Sequence, residues 1–178
     1  MNLDLVHARH LVELGYLQEI LSVMGYPAHL IERSPEVPYH TVLAQLDRDQ
    51  QDRARELACT FYPLTAEDTE NIMLLQYFLE LPFEIQPQAY QEVCKLFVAV
   101  NNKSVLGHFG ITADQPKIHH RYIQTLPASS LLPEEAVSEV IMLFNYTSLM
   151  LGDIIEEVGT QQKSLDEALQ VISERLSG

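Results

Sequence analysis

Three of the seven histidines, His108, His119 and His120, fall within one stretch, 105–125. An imidazole can ligate a transition metal or move a proton near neutrality, so this is where a small enzymatic site or a metal or ligand site would be sought. Two adjacent residues on a strand project to opposite faces, however, so His119 and His120 cannot chelate one ion together. His108 reaches one of them across a hairpin, depending on register, and no third protein ligand is evident where zinc needs three or four. The ordinary reading is a strand with partly exposed histidines. His7 and His10 lie one helical turn apart with no acidic or cysteine ligand nearby in sequence, and a solvent-facing pair is expected. Cys59 and Cys94 each sit inside an apolar pattern, where burial makes a thiol inert. The carboxylate pairs Glu134-Glu135 and Glu156-Glu157 fit helix-end charge or a solvated face. No G-x-S-x-G, G-x-x-x-x-G-K or G-x-G-x-x-G occurs, so a nucleophile elbow, a phosphate cradle and a dinucleotide turn all lack their glycines. No catalytic residue, metal or cofactor is expected.

Such residues must be held by a core, and a chain of 178 residues is long enough for one substantial domain. We expect a single domain over 1–158 with a helical appendage, 159–178. The formal charge of −14 is the compositional outlier. Between Ser129 and Gly178 nine acids face only Lys163 and Arg175, so half of the excess lies in the last third. Nucleic-acid backbones and anionic lipid demand clustered Lys and Arg, which argues against both as partners. The longest nearly apolar run, Val140–Leu151, is far short of the ~20 residues of a spanning helix. The start, Met1-Asn2-Leu3-Asp4, has no basic leader region, and a cytoplasmic protein without a disulfide is expected.

The spacing of Val6, Leu11, Leu14, Leu17, Leu21 and Met24 predicts a helix from Leu3 to Met24, stopped by Gly25. Arg33–Pro38 is a connector. Alternation then predicts a hairpin of 40–46 and 55–62, with Val42, Ala44, Leu46, Leu57, Cys59 and Phe61 on one face. A strand covered on both sides is expected over 72–81, ended by Pro82. A helix follows, with Tyr90, Val93, Cys94 and Phe97 inward. The runs 105–112 and 118–125 flank the turn residues Ala113–Pro116 as a second hairpin, in which Gly107 and Gly110 leave room for close approach. A long helix, Pro133–Val158, and a last one, Ser164–Leu176, complete the chain, the latter opened by a Ser164/Glu167 capping box.

The expected class is therefore α+β, a five-stranded antiparallel sheet with packed helices in the order α-βββ-α-ββ-α, plus a short C-terminal helix. This order resembles the type III secretion chaperone-like fold. The text Asn101-Asn-Lys-Ser-Val-Leu-Gly-His-Phe-Gly-Ile, then Ile118-His-His-Arg-Tyr and Leu132-Pro-Glu-Glu-Ala, is similar to the YbjN-type sensory-transduction-regulator members of that group. Within it, the chain from about Leu3 to Val158 resembles a small cyanobacterial family. The resemblance implies a non-enzymatic module, chaperone-like or regulatory, that holds a segment of a protein partner and is often a homodimer. The long helix carries a second apolar set, Leu143, Leu149, Met150 and Ile154, beyond what one sheet contact needs. That set is the expected partner or dimer surface, unless the C-terminal helix folds back over it.

Overall fold

The computed structural model describes residues 3–65, 67–112 and 116–175, without the side chains of Leu3 and Arg175. Its elements are α1 (Leu3–Val23), β1 (Ala28–Ile31), β2 (Thr41–Leu46), β3 (Arg55–Phe61), β4 (Ile72–Glu84), a 3-10 turn (Pro87–Ala89), α2 (Tyr90–Lys103), β5 (His108–Ile111), β6 (Lys117–Pro127), α3 (Glu134–Gly159) and α4 (Leu165–Arg175). The fold is α+β, with one antiparallel sheet and four α-helices among the described residues. The sheet has six strands, not five, in the order β1-β2-β3-β4-β6-β5. The strand missing from the sequence reading is β1, whose four residues are too few for an alternating pattern to register. It pairs with β2 from Ala28↔Ala44 to Ile31↔Thr41.

Two compact units make up the chain: 1–79 with 122–141, and 80–121 with 142–178. In the first, α1 packs on β1, β2 and β3. Leu14, Leu17 and Leu21 of α1 are buried, as are Val42 of β2 and Leu57, Cys59 and Phe61 of β3. Gly25 stops α1 at φ +90, with the Tyr26 amide donating to the Leu21 carbonyl and the Gly25 amide to that of Ser22, a left-handed cap that glycine adopts without Cβ strain. β2 and β3 form the expected hairpin, Thr41↔Thr60 to Leu46↔Arg55. β4 runs on through Pro82 to Glu84 instead of ending there. The described pairing with β3 extends only from Phe61↔Leu75 to Leu57↔Leu79, so the proline lies beyond that ladder and removes no donor from it. β4 also buries one face only, its alternate residues being half-buried.

In the second unit α2 buries Val93, Leu96 and Val100 and packs against α4. The expected inward stripe was one position off. Cys94 and Tyr90 are exposed and Phe97 is half-buried, because Tyr90/Val93/Cys94/Phe97 and Ala89/Val93/Leu96/Val100 are both apolar at helical spacing and only packing chooses between them. The interior of α3 is as expected at Ile141 and Phe144, with Val140 half-buried. The capping box of α4 forms: the Ser164 amide donates to Glu167 Oε2 at 2.8 Å and the Glu167 amide to Ser164 Oγ at 3.3 Å. The expected turn at 113–115 and the helix end at Leu176 lie outside the described residues.

The edge strand β5 is closed by a side chain. Asn101 of α2 accepts the Phe109 amide at 2.7 Å and donates to the Phe109 carbonyl at 3.1 Å, occupying both main-chain groups that Phe109 would offer to an added strand. At the other edge Gln18 of α1 donates to the Ala28 carbonyl.

Two outcomes test this packing. Phe144→Ala should cost about 3–5 kcal/mol through lost burial and a residual cavity, seen as a large fall in melting midpoint. Asn101→Ala should cost about 1–3 kcal/mol and speed hydrogen exchange at the Phe109 amide, since two backbone groups lose their partner at once. An unchanged exchange rate would show that the edge is closed by something else.

Candidate functional site

The hairpin histidines separate by face. β5 and β6 pair as His108↔Arg121, Phe109↔His120, Gly110↔His119 and Ile111↔Ile118. Directly opposed residues share a face, so His108 and His119 lie on one side and His120 on the other. Burial, followed by the neighbouring His108 and Arg121 charges, holds His119 below the usual imidazole range. The space at Gly110 is taken by His119, whose Nε2 lies 2.8 Å from where a Cβ would stand. Gly107, at φ +72, likewise faces His120 Nε2 at 2.9 Å and the Arg121 carbonyl oxygen at 2.5 Å from that position. Of the two approaches expected at these glycines, a helix or another backbone, the second is found at Gly107, where strand β6 comes close, and at both positions an imidazole ring fills the space.

His120 is fully buried and lies parallel between Phe109, at 4.3 Å, and Phe144, at 4.1 Å, both within 5° of coplanar orientation. Its Nε2–H donates to the Leu106 carbonyl at 2.8 Å, which fixes the tautomer. In the neutral ring Nδ1 is then an acceptor, and the Ser148 hydroxyl stands 2.6 Å from it. The same hydroxyl is 2.7 Å from the Phe144 carbonyl, so one proton serves two acceptors. A serine beside an imidazole whose other nitrogen is anchored is the arrangement of a base-activated nucleophile. Here Ser148 is 1% exposed and His120 0%, so no substrate reaches them, and the pair acts as a polar pin in an apolar interior.

His7 and His10 are not on the surface. Both are buried, as is His40 just before β2. His7 stands edge-on to His10 at 6.4 Å and to His40 at 5.9 Å, while His10 stacks on Phe61 at 4.9 Å. The His40 Nδ1 accepts the Arg33 amide at 3.1 Å, placing its proton on Nε2. A helix reading at spacing 6, 10, 14, 17 and 21 would have put His10 on the inner face; polarity alone suggested otherwise. Burial, then the nearby charges of His7, Arg9 and His40, brings His10 down to about 4. Burial first, and then Arg33, lowers His7 and His40 as well, with Asp4 and Glu32 opposing. Among the described residues no group of three or more His, Cys, Asp or Glu is placed to hold a metal ion. The cleft beside His10, lined by Val6, Arg9, Leu64, Glu70 and Met73, has a volume of about 30 Å³, room for a water and little else. Burial pushes the Cys59 thiol well up, which makes it a poor nucleophile.

The expected partner surface is placed as follows. Leu143 is 45% exposed, Leu149 and Met150 are half-buried, and Ile154 is buried at 2%, so Ile154 belongs to the interior of its unit. Two residues absent from that set are more exposed, Met142 at 53% and Tyr146 at 61%. With Leu149 and Met150 they follow the i, i+4, i+7, i+8 spacing of one helical face. The signal was present, but the many apolar residues of α3 allow two overlapping stripes. Together Met142, Leu143, Tyr146, Leu149 and Met150 form an outward apolar face in the middle of a 26-residue helix.

No family model matches the chain, and no curated protein matches it. Among solved structures it is similar to the crystal structure of YbjN from E. coli, described as a candidate transcription regulator, with 14% identity over 79% of this chain and 91% of that one and a TM-score of 0.42. That structure bears the name of the YbjN type that the short motifs of the sequence resemble. No helix is long and apolar enough to cross a membrane among the described residues.

The histidines give a pH prediction with a definite sign. Folded values below the unfolded 6.5 mean that the neutral rings favour folding. Their contribution is complete above about pH 6.5 and is lost as pH falls from there toward the folded values, about 4 for His10. That shift corresponds to at most about 3 kcal/mol. Urea unfolding should show stability falling already between pH 6.5 and 5, above the carboxylate range, and His10→Phe should flatten that slope. An equal slope in the variant would place the acid sensitivity elsewhere.

Proposed function

We propose that the protein is a binding module without turnover that holds a segment of another protein on the outward face of α3, in a chaperone-like or regulatory role. The observation that carries this reading is the exposed run Met142, Leu143 and Tyr146 in the middle of a long helix. Large apolar side chains grouped on successive turns cost solubility and are kept where a partner covers them. Methionine adapts to irregular surfaces and tyrosine is a frequent anchor of protein interfaces. Three further observations support it. The Ser148 and His120 pair is sealed from substrate. The Phe109 edge of the sheet is occupied by Asn101, which favours a helix face over an added strand as the docking mode. The net charge of −14 disfavours direct contact with nucleic-acid phosphates.

A photo-crosslinking residue placed at Tyr146, in cells that make the protein, should yield a discrete adduct with another polypeptide. The same residue at Arg48, in the exposed β2–β3 turn, should not. Identical adducts from both positions, or none from Tyr146, would overturn the assignment of this face.

A further inference from the structure

We infer that the first half of α1, up to Val12, is a flap released by protons: the histidines at its seam with the sheet hold it down while neutral and let it go once charged. The flap is independent of what α3 holds. Its anchoring carries the inference. Over residues 4–12 the buried side chains are Val6, His7 and His10. From Glu13 to Leu21 they are Glu13, Leu14, Leu17, Ile20 and Leu21. The second half is thus gripped by aliphatic side chains that carry no titrating group, by the Gln18 bond to the Ala28 carbonyl at 3.0 Å and by the Gly25 cap. Two of the three anchors of the first half are imidazoles. Glu13 marks the boundary, 3% exposed and accepting the Leu132 amide at 3.1 Å.

His7 lies between His10, at 6.4 Å, and His40, at 5.9 Å, and His10 stacks on Phe61. The charged groups around these rings come from three segments. Asp4 and Arg9 belong to α1 itself, with Glu13 3.9 Å from Arg9; Glu32 and Arg33 precede β2; Glu70 lines the cleft that His10 and Arg9 share. β3 contributes the uncharged ring of Phe61. Of the carboxylates, Asp4, Glu32 and Glu70 are exposed, Asp4 pairs with Arg33 at 3.4 Å, and Glu13 is turned to the Leu132 amide. Charging the rings in place therefore sets positive groups about 6 Å apart beside two guanidiniums, with little water to screen them. Release puts the same charges into water and gives up the burial of one valine and the rings. A detached stretch this short does not stay helical and frays. Opening would uncover Phe61 and Met73, both buried in the closed form, next to the exposed Ile72, so acid turns a sealed seam into an apolar patch.

The test is amide hydrogen exchange of the full chain, read by NMR at about pH 7.5 and about pH 5.5 as protection relative to the intrinsic rate at each pH. The first amides of a helix have no carbonyl partner, so the flap is read at residues 8–12 and the grip at 17–21. Burial brings His10 down to about 4 in the closed form, and with an ordinary value in the open form this ring alone multiplies the opening constant about tenfold across that interval. His7 and His40, lowered in the same direction, add to it. Protection at 8–12 should thus fall at least about tenfold while that at 17–21 changes less than about twofold. His10→Phe keeps a ring against Phe61 without the proton and should cut the fall to less than about threefold. His7→Leu, a second variant should the first not fold, should also shrink it, and His108→Gln, at an exposed histidine, should leave it whole. Three results overturn the flap: no fall at 8–12, an equal fall at 17–21, or a fall that His10→Phe and His7→Leu leave undiminished.

Discussion

The parallel stacking of one imidazole between two phenyl rings constrains the 80–121 and 142–178 unit more than any other contact. His120 is polar, yet it occupies the centre of an apolar layer because both of its nitrogens find partners there, the Leu106 carbonyl and the Ser148 hydroxyl. An imidazole buried without those partners would cost far more than its stacking returns. The consequences spread outward. The 104–107 turn must bring its carbonyl to the ring, which it does with Ser104 Oγ also donating to Leu106 and with Gly107 at positive φ where any Cβ would strike β6. α3 must present Phe144 and Ser148, four residues apart, to the same ring, and that fixes its rotation about its axis.

Once the rotation of α3 is set from the inside, its outer face follows by geometry. With Ile141, Phe144, Ser148, Leu151 and Ile155 inward, Met142, Tyr146 and Leu149 have to point away from that interior. The apolar outer face is thus not an independent accident of packing. Rotating the helix to hide Tyr146 would pull Phe144 off His120 and separate the Ser148 hydroxyl from its Nδ1. The fold keeps the exposed stripe because removing it from water would disturb the polar pin.

Much of the architecture was legible in the sequence, and the gaps have physical causes. Both hairpins, the long helix and its core residues Ile141 and Phe144 follow from periodicities that many residues enforce together. β1 escaped because four residues cannot establish a period, and the inner face of α2 because two apolar stripes compete there, which left Cys94 exposed and Leu96 buried instead. His7, His10 and His40 escaped for a different reason. Residue type predicts exposure for histidine, whereas helical phase places His10 beside Leu14 and Leu17, and the contact with Phe61 decides for burial. For the outer face of α3, Leu143, Leu149 and Met150 could be singled out by counting surplus apolar residues. Met142 and Tyr146 needed the rotation that only the His120 contact supplies.

The two clusters of buried imidazoles also differ in what they ask of the solvent. His120 is held by the Leu106 carbonyl at Nε2 and by the Ser148 hydroxyl at Nδ1. His7, His10 and His40 face one another, Phe61 and the positive charges of Arg9 and Arg33, while Asp4 opposes the shift of His7 and Glu32 that of His40. Each ring that gains a proton raises the cost of the next, because at about 6 Å and little solvent the repulsion is hardly screened. Acid therefore acts first on the seam between α1 and the start of the sheet.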